Sequence, residues 1–82
     1  MALMPSDGGF VVVFCTAPPD LAVVLAKTLV EEQLAECINR LPVKSSYLWG
    51  GDLCMDEETL MIIKTTTQLL PALKNRICEI HT

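Results

Sequence analysis

The chain has 82 residues, 51% hydrophobic and 20% charged, with a formal net charge of −4. That size allows one domain, near the lower limit for a self-sufficient core, and that apolar content excludes a disordered chain. Six basic residues against ten acidic ones provide no basic stripe for nucleic acid, and no apolar run approaches the roughly 20 residues that span a bilayer.

Residues 1–9 include Pro5, Ser6, Asp7, Gly8 and Gly9 and read as a flexible lead-in to a domain over 10–82. No basic region followed by a long apolar one occurs there, so no secretory signal is recognised and a cytoplasmic location is expected. Phe10, Val11, Val12, Val13 and Phe14 are five consecutive large apolar residues, the pattern of a strand buried on both faces. This first strand runs to about Thr16 and leaves Cys15 at its end, a common address for functional groups in strand–helix folds.

Pro18 and Pro19 then turn the chain, and Asp20 is the expected helix N-cap. Leu21, Leu25 and Leu29 recur every four residues, with Ala22, Ala26 and Val30 widening the stripe, so a helix is predicted to about Leu34. Lys27 and Glu31 have the spacing of a helical ion pair. A second strand begins at Cys37 and is interrupted at Pro42, which cannot donate to a ladder and marks a bulge, a bend or an edge. It resumes over Ser45–Trp49, and Gly50, Gly51 and Asp52 signal a turn. A third strand is predicted from about Glu57 to Thr67. Leu70, Leu73, Ile77 and Ile80 form the apolar face of a second helix, with Pro71 in its first turn.

The order strand, helix, strand, strand, helix is the α+β, split βαβ pattern of a ferredoxin-like fold without its last strand. The crossover rule is expected to set the first strand parallel to the third. In the complete fold a fourth strand lies beside the first, so here the first strand would be an open apolar edge. Both helices cover one face of the sheet. The apolar groups on the other face call for an oligomer that buries them together. The four cysteines, at 15, 37, 54 and 78, lack CxxC spacing and are expected to be free thiols.

These residues resemble the CutA family, the divalent-cation tolerance proteins. The matching stretches are Val13 to Pro18, then Ala26 with Leu29, Val30 and Glu31, then Leu34 to Asn39 and Pro42. Ser46 to Gly51 follows, with Glu58, Leu60, Ile63, Lys64, Thr65 and His81. The Tyr-x-Trp-x-Gly block at Tyr47–Gly51 and the Ile-Lys-Thr block at Ile63–Thr65 make a specific combination. Glu36 departs from the family pattern, which usually has alanine there. Thr82 departs as well, since the family usually continues with proline, tyrosine and a fourth strand. The resemblance implies a compact trimer related in architecture to the PII proteins, and a link to copper and divalent-cation tolerance without a required cofactor. Co-assembly with a full-length form is a rival expectation for the chain.

Two constellations follow. Cys15 and His81 are the candidate metal ligands, since a thiolate and an imidazole suit copper or zinc, although two donors are too few for a structural zinc site. Tyr47 and Trp49 share a strand face, as do Glu58 and Lys64, and the four are candidates to line a ligand cleft or subunit interface. Lys64, beside Ile62 and Ile63, is expected to find an acidic partner, with Glu58 of this chain or a neighbour the candidate. Asp56, Glu57 and Glu58 read as a solvated turn. No phosphate loop, Ser-His-Asp set or HExxH motif occurs, and a binding protein is expected rather than an enzyme. The rival reading is a PII-like signalling or scaffold trimer. A third is a chain without independent function.

Overall fold

The computed structural model describes residues 2–5 and 9–81. Its elements are β1 (Ala2–Pro5), β2 (Phe10–Ala17), α1 (Pro19–Glu31), β3 (Cys37–Trp49), β4 (Asp52–Thr66) and α2 (Leu70–Ile80). The four strands form one antiparallel sheet in the order β1-β2-β4-β3. This is the ferredoxin-like α+β arrangement expected from the sequence.

One topological expectation is corrected. The first long strand, β2, is antiparallel to β4, not parallel to it. The right-handed crossover through α1 joins β2 to β3, and these two strands do run parallel. They are not neighbours, because the tight β3–β4 hairpin folds β4 back between them.

The lead-in expected at 1–9 is also corrected in part. Ala2–Pro5 pair with Val11–Phe14 as an antiparallel strand; residues 1 and 6–8 lie outside the described residues. A strand edge displays unpaired N–H and C=O groups, and β1 satisfies the first half of that edge. The edge beyond Phe14 has no strand beside it among the described residues.

Alternation along β2 explains its unbroken apolar run. Val11, Val13, Cys15 and Ala17 are buried, and Val12 and Phe14 on the other face are half-buried. The inward set meets Thr65, Ile63, Met61 and Thr59 of β4 across the ladder. Leu25 and Leu29 of α1 and Leu73 and Ile77 of α2 close the core over this face. The opposite face carries Phe10, Val12, Phe14, Leu60, Ile62 and Leu41, and no element of the described chain covers it. Phe10 is 47% exposed and Leu41 39%.

Helix α1 starts at Pro19 with Pro18 as N-cap, two residues earlier than expected, and Asp20 sits in its first turn without capping. It ends three residues sooner than the apolar stripe suggests. Gln33 adopts φ 60, its N–H donates to the Val30 carbonyl at 3.0 Å, and the Leu34 N–H donates to the Leu29 carbonyl at 2.9 Å. That pair of bonds is a Schellman stop, and Leu34 packs on the core. Glu32, the C-cap just before the stop, takes two bonds of 2.9 Å from Arg76 of α2, which also reaches Glu79 at 3.1 Å. These are the ion pairs of the described residues, and the expected Lys27–Glu31 pair is not among them.

Strand β3 is continuous through Pro42. It is an edge strand, where a missing N–H faces no neighbour. Strand β4 begins five residues before its predicted start. The paired residues 43–49 and 52–58 therefore extend past the end of β2, which stops opposite Thr59. This projecting hairpin carries Leu48, Trp49, Leu53 and Met55, all at least 65% exposed. No helix among the described residues is long and apolar enough to cross a membrane.

Gln33 occupies a left-handed position without a stabilising side-chain contact, and glycine takes that conformation at no steric cost. Gln33→Gly is predicted to stabilise the fold by about 0.5–1 kcal/mol, read as a higher urea midpoint at unchanged slope. A lower midpoint would show that the glutamine side chain stabilises the stop.

Candidate functional site

The hairpin projects beyond β2 and so leaves a recess between its flank and the start of α1. A cleft of about 640 Å³ lies there, lined by Pro18, Tyr47, Trp49, Asp56, Glu57, Glu58 and His81. The period of two along β3 puts Tyr47 and Trp49 on one face, and the register places Asp56 and Glu58 on that same face of β4. Asp56 and Glu57 lie within a strand, so the expected solvated turn is a paired segment instead.

Tyr47 stands opposite Cys54, and its hydroxyl donates to the Asp56 carboxylate one pleat further along. That bond holds the phenol in its protonated form and pushes its pKa up to about 12, with lesser contributions from desolvation and the nearby negative groups.

His81 caps α2 and turns toward the β2 end, where its ring Nε2 lies 3.1 Å from the Thr16 carbonyl. A carbonyl only accepts, so Nε2 carries the proton and Nδ1 is the free nitrogen of the neutral ring. The Cys15 Sγ also contacts the Thr16 carbonyl, at 3.8 Å. The two metal candidates of the sequence therefore converge on one oxygen. His81 in addition joins the aromatic cleft, which the sequence pattern treats as a separate constellation.

Two facts weigh on metal chemistry. Cys15 is 7% exposed, and burial pushes its thiol above the ordinary value of 9.0, with Cys78 and Glu58 pushing the same way. The thiolate is the form that binds metal. Among the described residues no three His, Cys, Asp or Glu side chains are grouped to hold a metal ion. A closed metal centre does not fit the donors among the described residues. All four cysteines are free thiols.

Lys64 is not part of the cleft. It is exposed, faces Val12 and Cys37 in the ladder, and has no ion pair with a carboxylate among the described residues. Six residues of extended strand separate it from Glu58, about 20 Å at the usual rise. Even spacing puts the two on one face but too far apart to pair within the chain. The expected partnership with this chain's own Glu58 is therefore not formed.

The model of the CutA1 divalent ion tolerance protein family matches residues 11–82. The chain belongs to that family. It is 44% identical over 72 residues to the divalent-cation tolerance protein CutA of Thermus thermophilus, covering 85% of this chain and 70% of that one. Identity to the human protein CutA is 40% over 70 residues, covering 83% of this chain and 39% of the human one. The chain thus spans well under half of that relative. Among solved structures, the PII-like protein CutA from a Nostoc species superposes with a TM-score of 0.81 at 38% identity, covering 84% of this chain and 66% of that one. A CutA1 assignment agrees with the fold.

Tyr47 is the one tyrosine of the chain, so its ionisation can be followed by ultraviolet absorbance. Its folded pKa is raised, so its bond to Asp56 stabilises the fold fully below pH 10 and ceases to do so as pH rises through about 12. Asp56→Asn is predicted to bring the midpoint back toward 10. An unmoved midpoint would mean that Asp56 does not hold the phenol.

Proposed function

We propose that this chain is a subunit of a non-enzymatic, ligand-binding homotrimer in the divalent-cation tolerance family, working by a PII-like use of a cleft. The single observation that supports it most is the cleft itself, where Tyr47, Trp49, Glu58 and His81 from three separate elements line one recess. Trp49 is 75% exposed, and an aromatic surface of that size left in water favours burial by a ligand or a neighbouring subunit. The uncovered apolar sheet face supports self-association. A cytoplasmic place of action, and co-assembly with longer family members, belong to the same proposal.

The second reading is weak copper binding through Cys15 and His81, and it is favoured by their shared contact at the Thr16 carbonyl. Copper would meet a soft sulfur and an imidazole there. The raised thiol pKa makes proton release part of that binding.

Thermal-shift screening with a metabolite and nucleotide panel separates the two. Ligands of the cleft are expected to raise the melting temperature of the natural chain and to lose that effect in Trp49→Ala. A panel without any stabilising compound would remove the cleft reading. In the same series Cys15→Ser is expected to weaken Cu(I) binding at least tenfold, and an unchanged isotherm would remove Cys15 from the metal site.

A further inference from the structure

We propose that the cleft at Tyr47 and Trp49 selects an organic cation, an alkylammonium group on a short apolar body; this rests on the cleft being a ligand site. Its charge points that way first. Asp56, Glu57 and Glu58 all line it, and no lysine or arginine does. Both ion pairs of the described residues use Arg76, far along the chain from these carboxylates. Glu57 stands opposite Lys44 in the ladder, while Glu58 has no ion pair in the described chain. An anion entering the cleft would meet the Asp56 and Glu58 carboxylates, which share one strand face.

The aromatic lining distinguishes an organic cation from a metal ion. A cation is attracted to the face of an indole or phenol ring, and the attraction grows as water is excluded. Tyr47 and Trp49 are 40% and 75% exposed, and the Tyr47 hydroxyl is held by Asp56, which fixes the ring. A metal ion instead needs several converging donors, and no such group occurs among the described residues. His81 uses its Nε2–H on the Thr16 carbonyl, which fixes its ring at the cleft wall. A volume of about 640 Å³ lies within the usual range for small-molecule sites.

The alkylammonium can come from two sources, a free small molecule or a lysine of a second copy. Lys64 is the candidate for the second source. It is exposed, has no carboxylate partner in the described chain, and lies on the same sheet face as Glu58.

Trp49 is the one tryptophan of the chain, so its fluorescence reports the cleft directly. The test titrates the 82-residue protein, at constant ionic strength, with butylammonium, butan-1-ol and butyrate, which share an alkyl chain and differ in charge. The natural chain and the Lys64→Met and Glu58→Gln variants are compared, each checked for folding by circular dichroism. Butylammonium is expected to bind at least tenfold more tightly than butan-1-ol, and Glu58→Gln to remove most of that preference. A preference that emerges only in Lys64→Met would support the same chemistry with a neighbour's lysine as the occupant. Butan-1-ol or butyrate binding as well as butylammonium in both backgrounds would overturn the cation proposal and leave a ligand cleft standing. No response to any of the three in either background would remove the cleft reading together with it.

Discussion

Both helices lie on one side of the sheet, and most other features of this molecule depend on that one-sidedness. The inward side chains of β2 and β4 meet Leu25, Leu29, Leu73 and Ile77 and form a dry core. The outward side chains of the same two strands, Val12 and Phe14 with Leu60 and Ile62, are equally apolar, and no element of the described chain packs over them. Burial of one such side chain stabilises by about 1.5–3 kcal/mol, and whole domains are stable by only about 5–15 kcal/mol. A second copy on this face is thus worth a sizeable share of the total. The projecting hairpin, with Leu48, Trp49, Leu53 and Met55 in water, repeats the same demand at the end of the molecule.

The cleft is a by-product of unequal strand lengths. β2 ends at Ala17, while its neighbour β4 and the edge strand β3 continue past it as a two-stranded arm. The chain must turn into α1 at Pro18, and α2 delivers His81 to the free carbonyl of Thr16. A recess between arm and body follows from these terminations. Its chemistry, two aromatic rings and the Asp56 and Glu58 carboxylates, comes from the outward-facing positions of the arm. The pleat fixes which residues these are.

Most of the fold was legible in the sequence, because its signals are local. Leucines every four residues mark α1, the Pro18–Pro19 pair marks its start, and Gly50–Gly51, both at positive φ, mark the hairpin. What was not legible depends on pairing between distant segments. The strand at Ala2–Pro5 is only four residues long and runs into the loop-like sequence Ser6, Asp7, Gly8 and Gly9, and only the open edge of β2 gives it a partner. The left-handed Gln33 that stops α1 bears no sequence mark, since glycine is the usual signal. The relation of β2 to β4 was misassigned, because the crossover rule describes the strands joined by α1 and not the strand inserted between them.

The candidate site was legible in its members more than in its grouping. Tyr47 and Trp49 are on one face by period two, as the spacing indicates, and the ladder register puts Glu58 there with them. His81 joins them only through the three-dimensional return of α2, and Asp56 joins through a cross-strand hydrogen bond that spacing alone leaves open. Lys64 shares the face but not the place, because even spacing says nothing about distance along a strand. The most direct test of the central claim, that the bare sheet face and the projecting hairpin are built for copies of this chain, is light-scattering mass of the purified 82-residue protein at low micromolar concentration. The account predicts a monodisperse particle of three chain masses. A cooperatively folded monomer at that concentration would contradict it.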